Sequence, residues 1–259
     1  MVEEQSGTTR HHLVIAGTGR AGTSFLVRYL HQLGLETELA GAHRRPSWDA
    51  MANAGLETNF LVETDAPYVV KSPWFFEFVD EALARTDIEI DAAILPMRDL
   101  EAAASSRSIL ELRKIHSHYA AMAHMSRTWE TWGVIPGGIL YSLNPLDQAR
   151  LLAVGFHKVL QRLVDADIPT VLLAFPRLVQ DGDYLFGKLS RLLPGVTRNQ
   201  AKSVHAKISD PDQVRVEKEL DMENSKKMNV SQYPPQEELD MAALRREVIR
   251  LRHLLGRKA

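Results

Sequence analysis

Residues 12–27 have the sequence HLVIAGTGRAGTSFLV, which contains the strongest structural signal in the chain. A short apolar run, Leu13–Ala16, is followed by a segment with three glycines, and apolar residues then resume at helical spacing. This pattern predicts a strand, a tight loop and a helix that ends at Gly34. Glycines between a buried strand and a helix N-terminus let backbone N–H groups surround an anion, which the helix dipole also favours. The segment therefore predicts a phosphate-binding site.

The glycine spacing fits a dinucleotide-binding loop as one alternative. Gly17, Gly19 and Gly22 satisfy the pattern G-x-G-x-x-G, which is weakly specific by itself. The dinucleotide-binding fold also requires a second strand that ends in an acidic residue about 20 residues further on. An NADP-dependent oxidoreductase would therefore need Leu35–Ala40 as a strand beside the first one, with Arg44 on the 2′-phosphate.

The Walker A loop, G-x-x-x-x-G-K-[ST], is the second template for the same residues. Gly17, Gly22 and Ser24 fit its frame, but Thr23 stands where a lysine must reach the β- and γ-phosphates. An ordinary ATPase or GTPase is therefore not indicated.

The third template fits the loop best. RAGTSF, residues 20–25, resembles the loop [K/R]-S-G-T-[TS]-[WFY] of sulfotransferases that use PAPS (3′-phosphoadenylyl sulfate). In this family the loop is a P-loop with the basic residue ahead of the glycine, and Ala21 replaces the usual serine. The resemblance implies that the 5′-phosphosulfate of PAPS is bound by Arg20, Ala21, Gly22, Thr23, Ser24 and Phe25.

A second strand with a basic residue at its end is predicted at Tyr68–Val70. Lys71-Ser72-Pro73 follows, and apolar residues at helical spacing then predict a helix that begins after the proline. Many bacterial sulfotransferases have a Lys-[ST]-Pro turn at this point. The resemblance implies that Lys71 and Arg20 are catalytic residues that stabilise charge on the sulfuryl group and the leaving oxygen. The alternative is a lysine whose head group is solvated at a strand end.

A third strand, Ile88–Pro96, is apolar on both faces at its centre, as in a central parallel strand. Arg98 follows it, and Ser106 stands eight residues later. Sulfotransferases carry Arg-[ND]-Pro-x-[D]-x-x-x-Ser here, although Leu100 replaces the proline in this chain. The resemblance implies that Arg98 and Ser106 bind the 3′-phosphate of PAPS, whereas the alternative is a structural arginine before a helix capped by Asp99.

Strands alternate with helices as far as Pro169–Phe175, which predicts an α/β fold with a parallel sheet of four or five strands. The resemblance adds a P-loop three-layer sandwich to this prediction. Three units are expected: a sulfotransferase-like domain at 1–195, a polar closing segment or linker at 196–235, and an amphipathic helix at 236–259. The last unit carries an apolar stripe that either packs on the domain or pairs two subunits into a homodimer, formed by Met241, Leu244, Val248, Leu251 and Leu255.

Composition excludes several classes of function. The 259-residue chain has a formal net charge of −2, which argues against a nucleic-acid-binding protein, and its lack of cysteine excludes disulfides and thiolate–metal sites. The histidine spacing implies no metal site. The sequence shows neither an apolar run long enough to span a membrane nor a signal peptide in Met1–Arg10. We therefore expect a cytoplasmic protein.

These observations predict a sulfotransferase that moves a sulfuryl group from PAPS to a hydroxyl or amine of a small-molecule or carbohydrate acceptor, leaving PAP. The resemblance is incomplete at the general base, because Pro73 stands where many family members have a histidine. Four residues remain candidates for that role: Glu57, Glu63, His43 and His116. Besides the oxidoreductase, a non-catalytic nucleotide-binding or assembly protein that works through its C-terminal helix remains an alternative.

Overall fold

A computed structural model describes residues 9–40, 48–49, 54–117, 134–135, 138–139 and 145–210. The strands, in chain order, are β1 (Arg10–Ile15), β2 (Trp48–Asp49), β3 (Ala54–Gly55), β4 (Val69–Lys71), β5 (Ile88–Met97), β6 (Val134–Ile135), β7 (Gly138–Ile139) and β8 (Thr170–Ala174). The helices are α1 (Thr23–Gln32), α2 (Phe75–Ala84), α3 (Leu100–Ser117), α4 (Pro145–Asp165), α5 (Arg177–Gln180), α6 (Gly182–Leu189) and α7 (Arg198–Ile208), with a 3₁₀ turn at Ser190–Leu192. The predicted helix 236–259 and His43 lie outside these residues.

The central sheet has four parallel strands in the order β4-β1-β5-β8. Ile15, the last residue of β1, is level with Lys71 in β4 and with Ile94 in β5. Two short antiparallel pairs, β2–β3 and β6–β7, lie outside this sheet. The prediction of an α/β fold with a parallel sheet is confirmed. Since parallel strands end at the same edge, the residues that follow β1, β4 and β5 come together there.

Both faces are buried at β4, the carboxyl-terminal part of β1 and the centre of β5, which explains their continuous apolar runs, whereas the edge strand β8 exposes Leu172 and Ala174. On one face, Leu13 and Ile15 of β1 pack with α1, α6 and α7. On the other face, Val14 of β1 and Leu95 of β5 pack with α2 and α4. The glycine-rich loop after β1 therefore begins in the middle of a rigid core.

The strand that a dinucleotide-binding loop requires at Leu35–Ala40 is absent from beside β1, so that prediction is wrong. Within this range only Thr37 makes a β-bridge, and its partner is Val69 in β4. The neighbours of β1 are β4 and β5. The dinucleotide-binding fold has the strand order 3-2-1-4 around its first strand, whereas the strands of this sheet, numbered along the chain, have the order 2-1-3-4.

Helix α7 lies within the range for which the sequence predicts a polar closing segment. Thr197 caps its N-terminus through the side-chain oxygen, which accepts a hydrogen bond from the backbone N–H of Gln200. Its buried residues, Ala201 and His205, face the core beside α1. No helix among the described residues is long and apolar enough to cross a membrane.

Candidate phosphate-binding site

The loop between β1 and α1 has an unusual backbone. Gly17, Gly19 and Gly22 have φ angles of 121°, 66° and 81°, and Arg20 has a φ angle of 54°. These left-handed conformations are readily adopted by glycine and are uncommon for arginine. Gly22 is the N-cap of α1 and has no side chain to cap the first N–H groups of the helix. Those N–H groups and the positive end of the helix dipole make this terminus suited to an anion.

Two of these glycines are also needed for close packing. A Cβ atom on Gly17 would lie 3.0 Å from the carbonyl oxygen of Pro96, which belongs to β5. A Cβ atom on Gly22 would lie 3.1 Å from Leu178 Cδ1 and 3.2 Å from Phe175 Cδ2. The loop is therefore held between β5 and the segment after β8, so its conformation is fixed by the core.

Lys71, the last residue of β4, lies beside the loop with only 1% of its surface exposed. Its ammonium group donates three hydrogen bonds, to Ser24 Oγ at 2.9 Å, to the Gly55 carbonyl at 2.6 Å and to Glu57 Oε1 at 2.8 Å. The Ser24 hydroxyl in turn donates to the same Gly55 carbonyl at 3.2 Å. Lysine and loop serine, 47 residues apart in the chain, thus form one polar cluster.

Burial and the ion pair with Glu57 act on the pKa of Lys71 in opposite directions. Burial lowers the pKa of the Lys71 ammonium, because the charged form loses its water. The Glu57 carboxylate opposes this effect, the Arg20 guanidinium adds to it, and the pKa remains below the ordinary value. The buried ammonium and this carboxylate form a nearly neutral pair, so the positive charge of Lys71 acts on an anion at the loop only when the pair opens.

The second group of predicted residues lies on the other side of the loop. Arg20 Nε donates a long hydrogen bond of 3.4 Å to the hydroxyl of Ser106, which is buried in α3. Arg98 Nη1 donates to the Arg20 carbonyl at 3.2 Å. The Arg98 guanidinium carbon lies 5.6 Å from the centre of the Phe175 ring, a cation–π distance. Arg98 and Ser106, eight residues apart in sequence, are therefore both in contact with the loop residue Arg20.

The remaining loop residues are oriented toward the core. Ala21 and Thr23 are buried. The Phe25 ring is stacked on Tyr29 with a centroid distance of 6.3 Å and meets His205 of α7 edge-on at 5.5 Å. The structure thus gathers Arg20, Ser24, Lys71, Arg98 and Ser106 around the loop, while the Phe25 side chain anchors α1 to α7.

The structure places two of the candidates for a general base, Glu57 and Glu63, at different ends of the sheet. Glu57 contacts Lys71, so its carboxylate is in the polar cluster. Glu63 is at the opposite end of the sheet, where its backbone carbonyl accepts a hydrogen bond from the Arg10 side chain at the start of β1. The side chains of His43 and His116 are outside the described part of the molecule. Of the candidates whose side chains the structure describes, Glu57 is therefore the one that lies beside the loop.

Two contributors to the site were missing from the sequence prediction. The Gly55 carbonyl accepts hydrogen bonds from both Lys71 and Ser24. The Phe175 ring lies below the Arg98 guanidinium and against Gly22. A backbone carbonyl leaves no sequence signal, whereas the position of Phe175 directly after a buried strand could have drawn attention to it.

A cluster of metal-ligand residue types lies far from the loop. His11, Glu89 and Asp91 come together at the amino end of β1 and β5. His11 Nδ1 is 2.7 Å from Asp91, and its Nε2 is 3.8 Å from Glu89. The two carboxylates thus approach different nitrogens of one imidazole ring.

Comparisons of the chain with models of known protein families, with curated proteins and with solved structures found no match.

Proposed function

We propose that this protein is a PAPS-dependent sulfotransferase of P-loop three-layer architecture. The observation that supports the proposal most directly is that three separate sequence segments meet around the glycine-rich loop. Ser24 contacts Lys71 from the second segment, and Arg20 contacts both Arg98 and Ser106 from the third. These are the segments that resemble sulfotransferase motifs, and they carry the residue types that a nucleoside 3′,5′-bisphosphate and a sulfuryl group require.

In this proposal the loop binds the 5′-phosphosulfate. Backbone N–H groups from Gly22 to Phe25 surround the phosphate, and the Ser24 hydroxyl donates to one of its oxygens. Arg98 and Ser106 bind the 3′-phosphate, since a guanidinium and a hydroxyl can grip one phosphate from two sides. In this arrangement the Arg98 guanidinium faces the 3′-phosphate and at the same time keeps its hydrogen bond to the Arg20 carbonyl, which holds the guanidinium in position.

The chemical step exchanges one sulfur–oxygen bond for another. The acceptor hydroxyl or amine attacks sulfur, the bond from sulfur to the bridging oxygen breaks, and its electron pair stays on PAP. Lys71 and Arg20 stabilise the negative charge that develops on the leaving oxygen. Glu57, 2.8 Å from the Lys71 ammonium, takes the proton of the acceptor. The acceptor is expected to be a small molecule or carbohydrate that enters beside the segment containing Glu57.

Calorimetry with PAP, NADPH and ATP tests the proposed ligand. We expect PAP to bind, and we expect Arg98→Ala to reduce its affinity by about tenfold or more through loss of a charge-assisted contact. Arg177→Ala is the matched control, because Arg177 also follows a parallel strand but is mostly exposed and paired with Asp181. Its affinity for PAP should be unchanged.

Two results would overturn the proposal. Binding of NADPH without PAP would indicate a dinucleotide-dependent protein, despite the strand order. Tight PAP binding with no transfer from PAPS to any acceptor in a broad screen of hydroxyl and amine compounds would indicate a nucleotide-binding protein without catalysis. Transfer of labelled sulfate from PAPS, lost in Lys71→Met, would support the proposal.

A further inference from the structure

The hydrogen bonds of Lys71 use the full donor capacity of its ammonium group. An ammonium carries three N–H donors. Its acceptors are Ser24 Oγ, the Gly55 carbonyl and Glu57 Oε1, all within 2.9 Å. With 1% of its surface exposed, Lys71 is enclosed by these partners. A sulfuryl or phosphate oxygen can therefore reach the ammonium only by replacing one of the three.

We propose that the Glu57 carboxylate is a built-in competitor of the bound anion, and that the anion displaces it from Lys71 with uptake of a proton by Glu57. This inference deepens the proposed function and rests on it, since the anion concerned is the phosphosulfate group. Glu57 would thereby regulate the loop: the site binds an anion only after an internal ion pair has opened.

Glu57 is the partner that can leave most easily. The Gly55 carbonyl belongs to the backbone of β3, and the Ser24 oxygen is held by its own hydrogen bond to that carbonyl. Glu57 is the one partner attached through a flexible side chain, and 10% of that side chain is exposed. It is also the one partner that carries the same charge as the incoming group, so exchange keeps the buried ammonium neutralised.

Uptake of a proton by Glu57 is expected from the charges that would surround its carboxylate after it has left Lys71. After leaving Lys71, Glu57 would lie beside a bound anion, and repulsion between like charges raises the pKa of a carboxyl group. Among the described residues, Arg20 acts on Lys71 through its charge, and Glu38 lies next to Thr58, whose Oγ1 donates to Glu38 Oε2 at 3.2 Å. To act as the general base, Glu57 must first release this proton to solvent; its carboxylate is then free of Lys71 and can take the proton of the acceptor.

Affinity measurements on three proteins test this inference: wild type, Glu57→Gln and Glu38→Gln. PAP is one probe, and inorganic sulfate, whose charge is constant over the pH range used, is the other. We expect Glu57→Gln to bind both probes about ten- to a hundredfold more tightly, the range for one charge-assisted hydrogen bond. Glu38→Gln removes a nearby negative charge outside the ion pair and should change affinity by less than about threefold.

Proton uptake provides a second readout. Sulfate affinity of the wild type should rise as pH falls, and this rise should be absent or much smaller in Glu57→Gln. Equal or weaker binding by a folded Glu57→Gln variant, or the same pH dependence in both proteins, would overturn the inference. If Glu57→Gln does not fold, the wild-type sulfate titration decides alone: an affinity independent of pH would overturn it.

The same experiment separates the two proposals. Failure of all three proteins to bind PAP would reject the sulfotransferase proposal, and the sulfate results would then decide the exchange at Lys71. Tighter sulfate binding by Glu57→Gln would still support an anion site closed by Glu57, whereas absence of sulfate binding in all three would reject both. PAP binding that is insensitive to Glu57→Gln would leave the sulfotransferase proposal intact and reject the exchange.

Discussion

His11 and His12 are adjacent in β1, but their side chains lie in opposite electrostatic environments. The His11 side chain is half exposed and its Nδ1 is 2.7 Å from Asp91. The His12 side chain is buried against Phe60, with Nδ1 2.9 Å from the Pro67 carbonyl. Successive residues of a strand point to opposite sides, which explains how neighbours in sequence come to differ in this way.

The two histidines should affect stability with opposite dependence on pH. Burial lowers the pKa of His12, because protonation would place a charge in the core, where its Nε2 has no hydrogen-bond partner among the described residues. Stability from His12 is therefore complete above its unfolded pKa of about 6.5 and is lost as pH falls from there toward its lowered folded pKa. The hydrogen bond to Asp91 raises the pKa of His11, so its contribution is complete below about 6.5 and is lost as pH rises through the raised pKa.

Denaturant unfolding of His12→Leu and His11→Asn at several pH values checks this prediction. Relative to wild type, His12→Leu should lose less stability between neutral and mildly acidic pH. His11→Asn should lose more stability over the same interval, because the paired imidazolium is missing. Parallel curves for the wild type and both variants would contradict the assignment of these environments.

The fold was predictable where the sequence pattern is local. Leu13–Ala16, at the carboxyl end of β1, and Ala92–Leu95, within β5, are apolar on both faces because both runs are buried on both sides. The gathering of Arg20, Lys71 and Arg98 also follows from sequence, since each is near the carboxyl end of a strand in one parallel sheet. Periodicity and topology together therefore predict which edge of the sheet holds the site.

The ion pair of Lys71 with Glu57 could not be predicted in the same way, although Glu57 was among the base candidates. The contact depends on the turn that follows β3, where Gly55 and Leu56 have φ angles of 151° and 67°. Leucine rarely adopts a positive φ angle, so the local sequence does not predict this turn. Tertiary contacts select it: the Gly55 carbonyl accepts from Lys71, and the backbone N–H of Thr58 donates to the Lys71 carbonyl at 3.0 Å.

Gly155 should be essential for the packing of α4 on α2. A Cβ atom at this position would lie 2.8 Å from Cγ of Phe76, at the root of the ring where a rotamer change gives little relief. We expect Gly155→Ala to destabilise the protein by about 1–3 kcal/mol through overpacking. Gly187→Ala is the control, because Gly187 is also helical and a methyl group added there would meet no atom within 4 Å.

The control should change stability in the opposite direction. Alanine in place of an exposed helical glycine stabilises by about 0.5–1 kcal/mol, since it reduces the backbone entropy of the unfolded chain. Chemical unfolding should show a lower free energy of unfolding for Gly155→Ala and a higher one for Gly187→Ala than for the wild type. Equal effects of the two substitutions would mean that α2 and α4 do not pack through this contact.

Gly22 combines a positive φ angle with close packing, and Gly34 at the other end of α1 has the first property without the second. The φ angles are 81° and 93°. A methyl group on Gly22 would press on Phe175 and Leu178, whereas one on Gly34 would meet no atom within 4 Å. Gly34→Ala should therefore report the conformational strain alone, about 1–2 kcal/mol.

Gly22→Ala should cost more stability than Gly34→Ala and should also weaken PAP binding. The added methyl group lies within the proposed phosphate loop, and relief of its contacts requires the loop to move away from Phe175, the ring beneath Arg98. We expect the affinity of Gly22→Ala for PAP to fall by about tenfold or more, as for loss of a charge-assisted contact, while Gly34→Ala binds like wild type. Calorimetric titration of both folded variants makes the comparison. Equal PAP affinity in the two variants would show that the geometry of this loop does not determine binding.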